Sequence, residues 1–462
     1  MDKRFPIEDQ IEMLGAALKG RVIAPAHADY EDYRLVANGR FDHNRPAAII
    51  RVASAADVAA VLNFAQATDL PVAVRSGGHS TVGHSASNGG LVIDLRDLRG
   101  MDIDTSARTV WVGTGLTTGE ITAAVEQHGL IVGFGDAPTV GVGGLTLGGG
   151  IGYLVRKHGL TIDSLLAAEI VTASGEIVMA TEASHPDLFW ALRGGGGNFG
   201  VVTRLKFRLH PLPEFTGGGM ILPATAENLA AFVAAAEAAP EELSTIIMVM
   251  PAPPLPFIPP EVHGRLVLIG AMAFAGAPGA AQVALAPFRA IATPIVDLVG
   301  PAPYSSLYRL APPEDQRPSV SIRSRFIDGM GVAEARRMIE DLERCDAPMK
   351  MGQVRVLGGA FARVSTQATA FAHRQSRIMV AYLAMHEGDA EATAGYDLWA
   401  AESIDALRQA DTGIYVNFLG EQGQAGLHAA YPAETLARLR DVKRAYDPEN
   451  LFRANWNIAP AA

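Results

Sequence analysis

Arg75-Ser76-Gly77-Gly78-His79-Ser80 follows an apolar run, Leu70-Pro71-Val72-Ala73-Val74, and opens a small-residue stretch that ends at Gly90. A second apolar run, Leu91-Val92-Ile93, begins there. The pattern predicts strand, glycine turn, strand. Without Cβ atoms, main-chain N–H groups can converge closely on an anion such as a phosphate. Arg75 adds charge of the matching sign, and His79 adds a nucleophilic ring nitrogen.

Two further glycine segments follow. Between Gly133 and Gly152 lie Pro138-Thr139-Val140-Gly141-Val142-Gly143-Gly144 and Leu147-Gly148-Gly149-Gly150-Ile151-Gly152, with Tyr153 next. The interleaved Val142, Leu147, Ile151 and Tyr153 point to a packed turn that hugs a ligand. The third segment is Arg193-Gly194-Gly195-Gly196-Gly197-Asn198-Phe199-Gly200, leading into Val201. Gly195-x-Gly197-x-x-Gly200 formally fits the dinucleotide fingerprint. That motif needs a strand before it and a helix after it. Here the helical run Pro186–Leu192 precedes and the strand-like run 201–209 follows, which argues against a resident nicotinamide cofactor.

The 462 residues exceed what one hydrophobic core usually serves, so two domains are expected. A net charge of −11 disfavours nucleic acid as a partner, because phosphate binding needs a basic face. The single cysteine, Cys345, excludes an intramolecular disulfide and a cysteine metal cluster. No metal spacing, Walker lysine or nucleophile elbow is present. No apolar run reaches the roughly 18 residues of a membrane span, and no leader is expected at Met1–Pro6. The expectation is a soluble cytoplasmic protein whose partner is a small molecule, with no nucleic acid and no membrane. Nothing in the sequence fixes the number of subunits.

Composition shifts at His210-Pro211-Leu212-Pro213. Beyond it, predicted strands at 220–222, 245–250, 266–274, 320–326, 353–360 and 378–385 alternate with predicted helices at 226–239, 331–344 and 391–409. The glycine loops of the first half do not recur. That pattern suggests one antiparallel sheet with helices on one face.

The three glycine segments, in this order and with Tyr415-Val416-Asn417 and Tyr446-Asp447-Pro448-Glu449-Asn450-Leu451-Phe452 near the end, resemble a known family. It is the berberine-bridge-enzyme-like branch of the vanillyl-alcohol-oxidase/p-cresol-methylhydroxylase superfamily. The resemblance implies an α+β, bilobed flavoprotein. Residues 1–212 would bind FAD through two small α/β subdomains. Residues 213–411 would form the substrate domain, and 412–462 would return to the FAD domain. It also implies that His79 is bonded covalently to the flavin. Many relatives carry a second, cysteinyl link where this chain has Ala137, so a single bond is expected. Relatives often carry histidine at Leu145, and several carry a tyrosine at Ile151 that helps deprotonate substrate.

The expected cofactor-binding residues are Arg75, Ser76, Gly77, Gly78, His79, Ser80, Pro138, Thr139, Val140, Gly143, Gly144, Gly149, Gly152, Tyr153, Gly197, Asn198, Gly200, Val201, Tyr415 and Asn417. Tyr415 and Asn417, two apart on a predicted strand, would share one face. Tyr415 is the expected catalytic base, with packing on the flavin as its alternative role. Val140 takes the position the family associates with oxygen access, or simply packs. His84 is a weaker rival to His79. Glu169, Asp136, Arg363 and His373 are the other polar candidates, with Arg363 expected at the surface.

The implied activity is that of an FAD-dependent oxidase. A hydride would pass from a C–H beside an O–H or N–H to flavin N5, and dioxygen would reoxidise the flavin to give hydrogen peroxide. The alternatives are a dehydrogenase using a quinone or protein acceptor, and a flavin-binding protein without turnover. The middle segment is rich in Ala, Met and Pro, with Trp399 its only tryptophan, which leans toward an apolar or aromatic, polyketide-like substrate.

Overall fold

The computed structural model describes residues 5–212, 214–310, 317–387 and 389–461. Met1–Arg4, where no leader is expected, and Pro213, on which the expected domain boundary falls, lie outside these.

Three sheets organise the chain. The first has four strands in the order Arg21–Ile23, Ala48–Arg51, Leu91–Asp94, Val72–Arg75. The last two pair in parallel, as do the middle two. The sequence reads strand, loop, strand, and the loop proves to be a crossover between parallel neighbours. Crevices at the carboxyl ends of parallel strands are where ligands bind, and the Ser76–Gly90 loop sits there. Helix Ala55–Thr68 packs Val58, Val61, Leu62 and Phe64 on this sheet. Ser54 caps it by accepting from the Asp57 N–H.

The second sheet is antiparallel, with five strands in the order Met101–Asp104, Thr109–Gly113, Val201–Arg208, Leu165–Val171, Ile177–Ala180. Its core also takes in Leu188 to Leu192 and, from the C-terminal helix Ala433–Tyr446, Leu436, Leu439 and Val442.

The third sheet is antiparallel and eight-stranded. Thr216–Pro223, Leu266–Phe274, Leu243–Pro251, Met349–Val356, Ile378–His386 and Ser319–Ile327 run in that spatial order, with Val296–Asp297 and Gly300–Pro301 at the first edge. Helices Ala226–Ala238, Pro278–Arg289, Val332–Arg344 and Ala390–Ala406 bury their apolar stripes against one face, around Phe232, Leu285, Met338 and Ile404. Pro278–Arg289 is a helix the sequence reading missed, because its internal Pro287 breaks the expected pattern. The opposite face meets the glycine-rich segment: Phe326 and Met379 pack with Ile151 and Tyr415, and Ile246 with Tyr153.

His158 and His210 stack at this junction, ring centroids 4.0 Å apart. His210 Nε2 bonds Ser164 Oγ at 2.9 Å. Burial, then the neighbouring His210 and Lys157, push His158 down to about 3. Burial and Arg208 lower His210. The unfolded chain takes up these protons near pH 6.5, and the folded one refuses them. The stabilisation is therefore full above about pH 6.5 and lost as pH falls toward 3. Urea midpoints measured from pH 7 to pH 4 are expected to fall less steeply for H158F than for the wild type; equal slopes would refute the assignment.

Candidate functional site

A cavity of about 420 Å³ opens where the first two sheets meet the third. Its lining draws on every glycine segment and on the C-terminal region. The Arg75–Ser80 turn and the Pro138–Gly144 turn cross in backbone contact. A Cβ on Gly77 would stand 2.2 Å from the Gly141 nitrogen, and one on Gly141 would stand 2.1 Å from the Gly77 nitrogen. Both positions therefore exclude any side chain.

Ser76, Gly77, Gly78, His79 and Ser80 line the cavity, as do Val140, Gly143, Gly144, Gly197, Asn198, Gly200, Tyr415 and Asn417. Among the described residues, the amides of Gly78, His79, Ser80 and Thr81 donate to no protein acceptor. Successive main-chain amides left free in a turn can form an anion-binding nest. Burial lowers the His79 pKa, against a hydrogen bond with the Thr139 carbonyl. The imidazole is thus neutral at physiological pH, with one ring nitrogen directed to Thr139.

Arg75 corrects the expectation. Its guanidinium turns away from the cavity, is 1% exposed, and donates to the carbonyls of Ser85, Tyr33 and Arg34 beside Asp94. A buried arginine must satisfy its donors, and these carbonyls do so; Arg75 holds the turn's base and contacts no ligand space. Pro138, Thr139, Gly149, Gly152, Tyr153 and Val201 also stand behind the lining. Pro138 packs on Gly119, Gly149 on Phe371, and Gly152 on the Phe134 carbonyl. Tyr153 is buried with Tyr304 and Tyr308, and Val201 lies in the first sheet's core.

Tyr415 caps a short 3₁₀ turn, Val416–Phe418, that contains Asn417; neither lies on a strand. The turn still brings them together: Asn417 Nδ2 donates to the Tyr415 oxygen at 2.9 Å. The amides of Gly150 and Ile151 donate to the same oxygen at 3.0 and 3.4 Å. Burial raises the Tyr415 pKa, and these donors pull against it without cancelling it. The phenol is therefore neutral at physiological pH, its oxygen already filled as an acceptor.

His84 lines the cavity edge-on to Trp456, at 5.1 Å, and burial pushes it down to about 4. Glu169 pairs with Arg204, and Arg363 is a surface arginine paired with Glu241. His373 Nε2 bonds the Ala430 carbonyl at 2.9 Å, behind Phe326 and Phe371. The sequence reading missed Arg355. It reaches into the cavity from the Met349–Val356 strand and pairs with Asp136 at 2.7 Å. An arginine in an alternating apolar strand is the one signal that marked it.

The residues fit a flavin dinucleotide. Gly144 and Gly197 border the cavity with open space where a Cβ would stand. Two buried lining atoms, Ser85 Oγ and Asn455 Oδ1, have no partner among the described residues. Unpaired buried polar atoms beside free amides suit a polar ligand.

A family model for an FAD binding domain matches residues 46–181, and one for berberine and berberine-like proteins matches residues 414–459. (R)-6-Hydroxynicotine oxidase of Paenarthrobacter nicotinovorans is 30% identical over 456 residues, covering 96% of this chain and 97% of the relative. The uncharacterized FAD-linked oxidoreductase YvdP of Bacillus subtilis is 30% identical over 420 residues, covering 88% and 90%. Among solved structures, 6-hydroxy-D-nicotine oxidase of Arthrobacter nicotinovorans superposes with a TM-score of 0.87 at 28% identity, covering 96% of this chain and 98% of that one. Chitooligosaccharide oxidase shares the fold, with a TM-score of 0.84 at 22% identity, covering 98% and 100%.

Proposed function

The chain belongs to the berberine-like FAD-linked oxidoreductases, and from that premise we propose that it is an oxidase carrying FAD on His79 alone and acting on a small organic molecule. The observation that carries this reading is the meeting of His79, the free amides after Gly77, and Tyr415 on one cavity.

When bound, FAD supplies a two-electron acceptor that dioxygen can reoxidise to give hydrogen peroxide. The chain's own residues do the rest. The amides of Gly78 to Thr81 would hold the pyrophosphate, and Gly144 and Gly197 would leave room for it. The His79 nitrogen not engaged with Thr139 keeps a lone pair, the requirement for a nucleophile. It is the nitrogen that would carry the flavin. Ala137 has no sulfur for a second bond. Tyr415, its oxygen filled by three donors, would keep its own O–H to donate.

Under anaerobic conditions, a panel of alcohols, amines, phenols and sugars is expected to include compounds that bleach the yellow protein. Admitting air is expected to restore the colour within manual mixing time and to release one peroxide per substrate. Slow recovery in air with fast recovery on adding a quinone would replace the oxidase with a dehydrogenase.

A further inference from the structure

Tyr415 accepts from Asn417, Gly150 and Ile151 and has no acceptor capacity to spare. Of the other lining groups able to take a proton, His84 is set edge-on against Trp456 and pushed down to about 4 by burial. Among the described lining residues, Asp136 is the only carboxylate.

Its surroundings are specific. Asp136 Oδ2 accepts from Arg355 Nη2 at 2.7 Å, while Oδ1 accepts from no described residue. The side chain is 29% exposed, and it lines the cavity. Arg355 is held on its other sides: Nε donates to Gln353 Oε1 at 3.0 Å and Nη1 to the Ile151 carbonyl at 2.8 Å. Because the Ile151 amide also donates to Tyr415, one arc of contacts joins Asp136, Arg355, Ile151 and Tyr415. The buried phenols of Tyr153, Tyr304 and Tyr308 all feel the Asp136 charge. Burial raises each of them, Tyr308 to about 12, so none competes as a base.

The sheet face around the pair is mostly apolar. Met351, Gln353 and Arg355 alternate onto one side of their strand. Met248 stands opposite Gln353, and Leu383 opposite Met351. Met250, Ile258 and Met351 pack there as one cluster. Asp136 and Arg355 carry opposite charges, so this pair adds no net attraction for an ion.

We propose that Asp136, positioned by Arg355, accepts the proton of the substrate's O–H or N–H, and that the substrate is a neutral, mostly apolar molecule carrying that donor. The proton passes to Asp136 Oδ1. The electron pair left behind closes the C=O or C=N bond, and the adjacent C–H departs as a hydride to the enzyme's oxidant. The inference rests on the oxidase reading above.

The test uses the holoenzyme and 4-nitrophenol, which has no C–H beside its oxygen to oxidise and reports its own protonation by colour. Difference spectra are expected to show the wild type holding the probe neutral, its pKa raised by about one unit or more. D136N, which leaves Arg355 without its carboxylate, is expected to bind the yellow phenolate and lower that pKa. Asp136→Ser gives the same comparison should D136N fold poorly. Equal titrations in wild type and variant would overturn the proposal, as would a wild type that binds phenolate or no probe at all. A wild type that no compound bleaches, yet that shifts the probe through Asp136, would sink the oxidase reading alone. Bleaching equally fast in D136N would sink the Asp136 role alone.

Discussion

In H79A, the flavin is expected to wash away completely when the chain is unfolded in acid and filtered, whereas the wild type keeps all its colour. Attachment needs a ring nitrogen with a free lone pair, held against the ligand. The Thr139 carbonyl engages one His79 nitrogen, and burial keeps the ring neutral, so the other nitrogen retains its lone pair. Alanine removes the nucleophile and leaves the amide cradle of Gly78 to Thr81, so H79A still binds FAD, reversibly. His84 is the alternative attachment point in the same cavity, but its ring is set against Trp456. H84A is therefore expected to keep its colour through acid. Wild-type colour in the filtrate would remove the covalent bond from the proposal, and colour retained by H79A would move it to another residue.

The second large effect lies away from the cavity floor, at Lys443. Its ammonium is fully buried and donates to the Asn198 carbonyl at 2.8 Å, the Phe452 carbonyl at 2.9 Å and Asp447 Oδ2 at 2.6 Å. Burial lowers the Lys443 pKa, and Asp447 holds it up. Asp447 in turn accepts from the Leu451 and Phe452 amides. One ion pair thus ties the C-terminal turn to the Gly194–Gly200 loop, whose Asn198 and Gly197 line the cavity. K443M strands a buried carboxylate, at a cost of about 3–5 kcal/mol, a large share of a typical stability of roughly 5–15 kcal/mol. Urea unfolding is expected to show that loss, together with weakened retention of FAD in an H79A background. The double variant K443M/D447N, with both charges gone, is expected to recover part of it. A K443M midpoint near the wild type, or a double variant no better than the single, would show that the pair carries little.

The local features of this protein were legible in its sequence. The Gly77–Gly78 turn, the placement of His79 after a strand, and the alternating strands and helices beyond residue 213 depend on steric freedom and burial period. Both are properties of a residue and its near neighbours. The Leu266–Phe274 strand was read with its observed bounds, and helices fall close to the predicted 226–239 and 331–344. Tyr415 and Asn417 do meet, at the start of a 3₁₀ turn and not on the face of a strand.

Only the tertiary structure decided where the polar side chains point. Arg75 sits beside the phosphate-type turn in sequence, yet three carbonyls claim its guanidinium, two of them from residues 33 and 34. Asp136 acquires its partner from residue 355, and Lys443 one of its acceptors from residue 198. Such contacts form when distant segments close on one another. A buried charge is then settled by whichever partner lies within reach, and no spacing along the chain records which partner that is.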